Sequence, residues 1–140
     1  MLTKLTVAID YAKTFLGLPY IWGGSHPSQG FDCSGLVQEI LASVGLDPQG
    51  DQTAQTLMDG IEGSCVPYLK PTAGCVLFFG LSKRNISHVA FAISDLHMIE
   101  AGGGGSSCIT VRDAVQKGAF VRIRPISHRK DLMAILMPRY

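Results

Sequence analysis

The hydrophobic periodicity of this chain changes once, at Pro71, and that change limits the fold more than any other feature. Before it, Leu5, Ala8, Ile9, Ala12, Phe15 and Leu16 recur at helical spacing, closed by Gly17 and Pro19. Leu36, Val37, Ile40, Leu41 and Val44 repeat the pattern, with Gly45 as the stop. Residues 17–32 between them are rich in Gly, Pro and Ser and predict a loop, while the polar stretch 47–63 admits a short helix from Thr53 to Met58. After Pro71 the apolar runs become short. Cys75–Phe79, His88–Ile93, His97–Ala101, Cys108–Val111, Phe120–Ile123 and Ala134–Met137 read as strands separated by turn residues. Helices first and strands afterwards predict an α+β fold.

Length and charge narrow the function classes. A chain of 140 residues is expected to form one domain, 1–140, able to bury roughly two-thirds of its unfolded surface. Apolar types make up 46% and charged types 16%, a globular composition. Lys and Arg number 12 against 11 Asp and Glu, so a strongly basic nucleic-acid binder is excluded and no charge draws the chain to a membrane surface. No apolar run reaches the roughly 18 residues of a spanning helix. The N-terminal apolar stretch is broken at Asp10 with no small-residue cleavage site after it, so no secretory signal is expected.

The four cysteines are Cys33, Cys65, Cys75 and Cys108, and none forms a C-x-x-C pair, which argues against a structural zinc site. An even count permits two disulfides. The simpler expectation for Cys65, Cys75 and Cys108 is that of small buried apolar residues. Cys33 differs because it opens the second helix, in Gly30-Phe31-Asp32-Cys33-Ser34-Gly35-Leu36-Val37. Unpaired amides and the helix dipole there favour an anion, and the thiolate is the nucleophilic form. Asp32 fits a helix cap, and could equally face a cationic ligand group; Gly35 leaves room beside the sulfur for a substrate carbonyl.

A thiol nucleophile needs a base and a group that orients the base. His26 lies in a loop, His97 at a turn and His128 in the basic stretch Ser127-His128-Arg129-Lys130. His88 opens a strand in which Val89, Phe91 and Ile93 form one face and His88, Ala90 and Ala92 the other. The small alanines predict close approach of a helix to that second face. Glu100, between Ile99 and Ala101, would be costly without a partner and could accept the second ring N–H of His88. Parity tests this pairing. A two-residue turn at Asp95-Leu96 would set Glu100 on the wrong face, so an odd loop or a bulge is predicted within Ser94–His97. The run Gly102–Gly105 has no following lysine and helix, and reads as a flexible turn rather than a phosphate loop.

These segments together resemble the NlpC-type bacterial cell-wall peptidases, a papain-like cysteine peptidase group. The resemblance is carried by Leu18-Pro19-Tyr20-Ile21-Trp22-Gly23-Gly24, by Gly30 to Val37, by Gly74 to Phe79, by Ser87-His88-Val89 and by Met98-Ile99-Glu100-Ala101. It implies a papain-like fold with the nucleophile helix packed on an antiparallel sheet. It implies catalytic Cys33, His88 and Glu100, the last standing where relatives often carry His. It further implies that Tyr20 helps bind the oxyanion, that Asp32 and Ser34 hold the free amine of a stem peptide, and that no metal or organic cofactor is needed. Trp22 is expected to pack as a structural aromatic. Two departures are Cys75, where the family usually has Asp, and Gln52, where it often has Arg.

The activity implied is hydrolysis of peptidoglycan stem peptides, typically between D-glutamate and the following diamino acid. An N-acetylmuramoyl-L-alanine amidase or an acyltransferase would use the same parts, and a non-catalytic wall-binding or tail-assembly module is the alternative of another class. The expected partner is the stem peptide, with no nucleic acid and no membrane, and the chain is expected to be a monomer. The site of action would be the bacterial cell wall. With no signal in view, a phage lysin delivered beside a holin, a phage tail hydrolase, an injected effector, or a piece of a longer chain all fit.

Overall fold

A computed structural model describes residues 2–140. Helix α1, Lys4–Lys13, begins at Thr3, whose side-chain oxygen accepts the Thr6 N–H, and its buried Ala8 and Ala12 allow close packing. The stretch predicted as loop contains a small hairpin, β1 (Ser25–His26) and β2 (Gly30–Phe31). Helix α2, Cys33–Ala42, buries Leu36, Val37, Ile40 and Leu41 at the predicted spacing. Helix α3, Ala54–Ile61, starts at the predicted Thr53, which exchanges capping hydrogen bonds with Thr56.

The strands are β3 (Val66–Pro67), β4 (Val76–Ser82), β5 (Asn85–Ala92), β6 (His97–Ala101), β7 (Val121–Pro125) and β8 (Leu132–Met137). They form one antiparallel sheet in the order β3-β8-β4-β5-β6-β7, and α2 lies against β5 and β6. The α+β class and the helix-on-sheet packing are as expected. Strand β3 escapes sequence reasoning because it is two residues long and ends in Pro67, which only an edge tolerates.

The strand expected over Cys108–Val111 does not form. Thr110 instead caps helix α4, Val111–Lys117: its hydroxyl accepts the Asp113 N–H while the Asp113 carboxylate accepts the Thr110 N–H. Reciprocal capping satisfies two helix-end donors and wins over the β propensity of Ile109 and Val111. Cys108 turns inward and donates its thiol hydrogen to the Tyr20 carbonyl at 3.2 Å. All four cysteines are free thiols, and Cys65, Cys75 and Cys108 are buried as expected.

Two cores flank the sheet. The larger lies under the helices and takes Val76, Phe78, Val89, Phe91 and Ile99. The smaller, on the other face, holds Cys75, Leu77, Phe79, Ala90, Ala92, Met98 and Ile126. This corrects the expected role of the alanines. The helices pack on the bulky Val89 and Phe91 side, and Ala90 and Ala92 line the smaller core. Cys75 lies in that core with no exposure, so its replacement of the family's Asp sits in an apolar interior, not at the surface.

Candidate active site

Cys33 is the first helical residue of α2 because Asp32 ends the preceding extended backbone and caps the helix. The Asp32 carboxylate accepts the Gly35 N–H at 2.8 Å, the Gly23 N–H at 3.0 Å and the Ser34 hydroxyl at 3.3 Å. Burial pushes its pKa up, and these hydrogen bonds work against that shift. Asp32 therefore ties the loop before β1 to the helix start. Gly35 is required here, since a Cβ would fall 2.0 Å from the Gly24 carbonyl oxygen.

His88 reaches the site from β5. The ladder between β4 and β5 pairs Phe79 with His88 and Gly80 with Ile86, which leaves Ser87 as a bulge just before the histidine. Bulges bend a strand and re-aim the adjoining side chains. Opposite, Phe91 pairs with Ile99 and Ala92 with Met98, and the Ile93 and Ser94 N–H groups both reach the His97 carbonyl. The turn is therefore Ser94-Asp95-Leu96, three residues, and the predicted odd parity holds. Glu100 shares the face of His88, and its Oε1 lies 2.7 Å from His88 Nε2. Both side chains are buried.

That contact leaves Nδ1 as the ring nitrogen open to Cys33. Burial alone would lower the His88 pKa, but hydrogen bonding and charge from Cys33 and Glu100 outweigh it and push the imidazole up to about 9. Burial would likewise raise Glu100. The His88 hydrogen bond, the charge on His88 and the guanidinium groups of Arg124 and Arg129 hold it below the usual carboxylate range. Arg124 Nε stands 3.4 Å from Glu100 Oε2. At neutral pH the dyad is thus an imidazolium on a carboxylate, with a sulfur at a helix start beside it.

The cleft in front of Cys33 has a volume of about 340 Å³ and is lined by Tyr20, Trp22, Asp32, Cys33, Asp51 and Ser87, among others. Gln52 also borders it, where the family often has Arg. Tyr20 is held by burial, and by the charges of Cys33 and Asp32, far above the ordinary tyrosine pKa, so its hydroxyl remains a neutral donor. Trp22 does not pack as expected. Its side chain is 54% exposed at the mouth of the cleft, while its N–H donates to the Cys108 carbonyl. Ser34 is buried and bonded to Asp32.

The glycine run that read as a flexible turn runs past these groups and is tight at Gly103 and Gly104. A Cβ at Gly102 would lie 3.5 Å from a Glu100 oxygen, and one at Gly104 would lie 2.2 Å from the Tyr20 ring. Gly104→Ala is expected to cost about 1–3 kcal/mol of stability through overpacking. It should also displace the Tyr20 ring, so peptide hydrolysis by the folded protein should fall. Urea unfolding and initial rates, measured on one preparation, check both effects.

Sequence reasoning missed Arg124 and Arg129 beside Glu100. Arg124 lies two residues along β7 from Arg122, the ladder partner of Glu100, and so shares its face. The alternation Arg122-Ile123-Arg124 in a strand next to a buried carboxylate was the available signal.

A sulfur at the head of a helix laid on an antiparallel sheet, with a histidine–carboxylate pair on adjacent strands, defines a papain-like architecture. A model of the NlpC/P60 family matches residues 17–125, and the chain belongs to that family. It is 33% identical over 102 residues to "Probable endopeptidase YafL" of Escherichia coli, covering 72% of this chain and 41% of that protein. It is 35% identical over 96 residues to "Bifunctional muramidase/DL-endopeptidase CwlT" of Bacillus subtilis, covering 67% of this chain and 28% of that protein. The chain thus spans less than half the length of these relatives. The solved NlpC/p60 domain of the peptidoglycan hydrolase SagA superposes with a TM-score of 0.69 at 26% identity, covering 94% of this chain and 97% of that one. RipD of Mycobacterium tuberculosis, described as a non-catalytic NlpC/p60 domain protein, shares the fold with a TM-score of 0.71 at 19% identity, covering the whole of both chains.

Proposed function

We propose that this chain is a cysteine peptidase that cuts peptidoglycan stem peptides through Cys33, His88 and Glu100. The fold alone does not imply catalysis, as RipD illustrates. The observation that carries the reading is the 2.7 Å His88–Glu100 pair, whose imidazole is pushed up to about 9 by Glu100 and by Cys33 itself. A buried, charged dyad facing a helix-start thiol is costly to maintain and has a direct use in acyl transfer.

The Cys33 sulfur attacks the scissile carbonyl carbon, and the carbonyl oxygen becomes an oxyanion bound by the Tyr20 hydroxyl and the Cys33 backbone N–H. As the tetrahedral adduct collapses, the His88 imidazolium gives its proton to the departing amine and a thioester remains. Neutral His88 then takes a proton from water, which attacks the thioester. The new acid departs and the sulfur leaves as thiolate beside a re-protonated imidazole. Glu100 holds the ring orientation throughout. The cleft on the Cys33 side carries Asp32 and Asp51, so it suits a substrate with a free amine. Three of the Asp32 acceptor positions are committed within the chain, which leaves Asp51 as the freer of the two acids.

The proposed bond joins D-glutamate, through its side-chain carboxyl, to the diamino acid. Relatives carry names of that kind, such as "Gamma-D-glutamyl-L-lysine dipeptidyl-peptidase" of Bacillus cereus, 37% identical over 95 residues. Action at the cell wall follows from the same reading. Mass spectrometry of muropeptides digested with the protein, and with Cys33→Ala as control, tests it. Products split after D-glutamate are expected. Release of the whole stem peptide from muramic acid would reassign the enzyme as an amidase, joined peptides as an acyltransferase, and unchanged muropeptides as a binding module.

A further inference from the structure

A second cavity, of about 180 Å³, borders the dyad and shares no lining residue with the Cys33 cleft. Its walls include His88 and Glu100 together with Arg122, Arg124, His128 and Arg129. Glu100 is the one carboxylate in this wall, and its charge is already shared with His88 and Arg124. Arg129 is neutralised from outside, through two hydrogen bonds of 2.9 and 2.8 Å to Asp131, and its guanidinium stacks 5.1 Å from the centre of the Phe79 ring. Arg124 contacts His128 as well as Glu100.

Among the described residues Arg122 has no carboxylate at ion-pair distance, its one side-chain hydrogen bond is a long one, 3.4 Å, to the Gly102 carbonyl, and its Nε is buried with nothing to accept from it. Burial and the neighbouring Arg124 weaken its hold on the proton, and the charge of Glu100 works against them. A guanidinium with a single long hydrogen bond beside a second cation is poorly compensated. Gly103, whose φ is +89°, keeps the loop clear of the guanidinium, since a Cβ there would lie 3.0 Å from Arg122 Nη2.

We propose that this cavity is a binding site for a carboxylate- or phosphate-type oxyanion, held by the fork of Arg122 and by Arg124. Such an oxyanion is taken by the Nη groups of Arg122, whose one hydrogen bond is the long one to Gly102, since Nε itself is closed off from the cavity. The occupant is either a carboxylate on the substrate or a free ion. In both cases negative charge is added beside His88, which strengthens its protonated form. Asp32 and Asp51 line the Cys33 cleft and the arginines line this cavity, so the site borders one acidic and one basic space.

The site does not depend on the peptidase reading, because binding can be measured on a chain that cannot turn over. Inorganic phosphate and acetate are titrated into Cys33→Ala and followed by the NMR signals of the Gly102 and Gly103 amides and the Arg122 Nε–H. Saturable binding at one site is expected, weakened at least tenfold in Arg122→Gln, partly kept in Arg122→Lys and unchanged in the exposed Arg84→Gln. Shifts that grow linearly with ionic strength and are reproduced by sodium chloride would overturn the proposal. So would undiminished binding in a folded Arg122→Gln. Stem peptides ending in a free acid or in a carboxamide then identify the source. Competition by phosphate with the acid alone assigns the cavity to a substrate carboxylate, and phosphate bound alongside both assigns it to a free ion; either supports the site.

Discussion

Cys33→Ala is expected to abolish peptide hydrolysis while leaving the fold intact. Cys33 is only partly buried and heads α2 without capping it; that task falls to Asp32. Loss of the nucleophile from an assembled triad removes on the order of 10⁶ in kcat. The substitution should also change the titration of its neighbour. Cys33 is one of the two groups that push His88 up to about 9, against burial, which lowers it. In the alanine variant the His88 pKa should fall, and its NMR titration measures by how much. In the unaltered protein the imidazolium needed by the leaving amine persists below about 9, so kcat/KM should decline as pH rises through that value. Stability follows the same sign. A histidine whose folded pKa exceeds its unfolded 6.5 stabilises fully below 6.5 and loses that contribution as pH rises through about 9. The amount is on the order of 3 kcal/mol for a shift of this size. A His88 titration unmoved by Cys33→Ala would break the link between the two groups.

Glu100→Gln should be the most damaging substitution that keeps the shape of the site. The carboxylate sits 2.7 Å from His88 Nε2 and 3.4 Å from Arg124 Nε, with Arg129 adding to the positive charge around it. Removing the charge leaves the buried His88 cation, with the half-buried Arg124 and Arg129 near it, uncompensated, and breaking a buried pair in this way costs about 3–5 kcal/mol. The amide can also present its NH₂ to the ring and favour the wrong tautomer, for which a loss of about 10⁴ in kcat is the precedent. Thermal unfolding and single-turnover rates separate the two effects. Glu100→Asp keeps the charge but shortens the reach, and should recover stability more than rate. A glutamine variant with normal turnover would remove Glu100 from the triad.

The parts of the site written in local sequence were legible. Asp32-Cys33 before an apolar helical repeat gives a capped helix with its thiol at the start. Alternation along residues 88–92 and 97–101, together with the cost of a buried Glu100, was enough to demand an odd turn. What failed depended on tertiary competition. The strand expected at Cys108–Val111 lost to the Thr110–Asp113 capping box, whose spacing is visible but whose preference over strand depends on nearby partners. The alanine face was assigned to the wrong core because alternation reveals that two faces differ, not which layer covers each. Trp22 was expected to pack as a structural aromatic in its loop, yet it stands exposed at the rim of the cleft, just ahead of the β1–β2 hairpin. Arg124 reaches Glu100 only because β7 pairs with β6, and Arg129 only through the turn that follows β7.

Base and orienting group ride on neighbouring strands joined by a three-residue turn, whereas the sulfur arrives on a helix docked across the larger core. The site is thus made of one stapled half and one seated half. A slight slide of α2 over Val89 and Phe91 would alter the separation of sulfur and imidazole while leaving the imidazole–carboxylate contact as it is. Reactivity in this fold is consequently adjustable from the helix–sheet seam, at positions such as Leu36 and Ile40 that never meet a substrate.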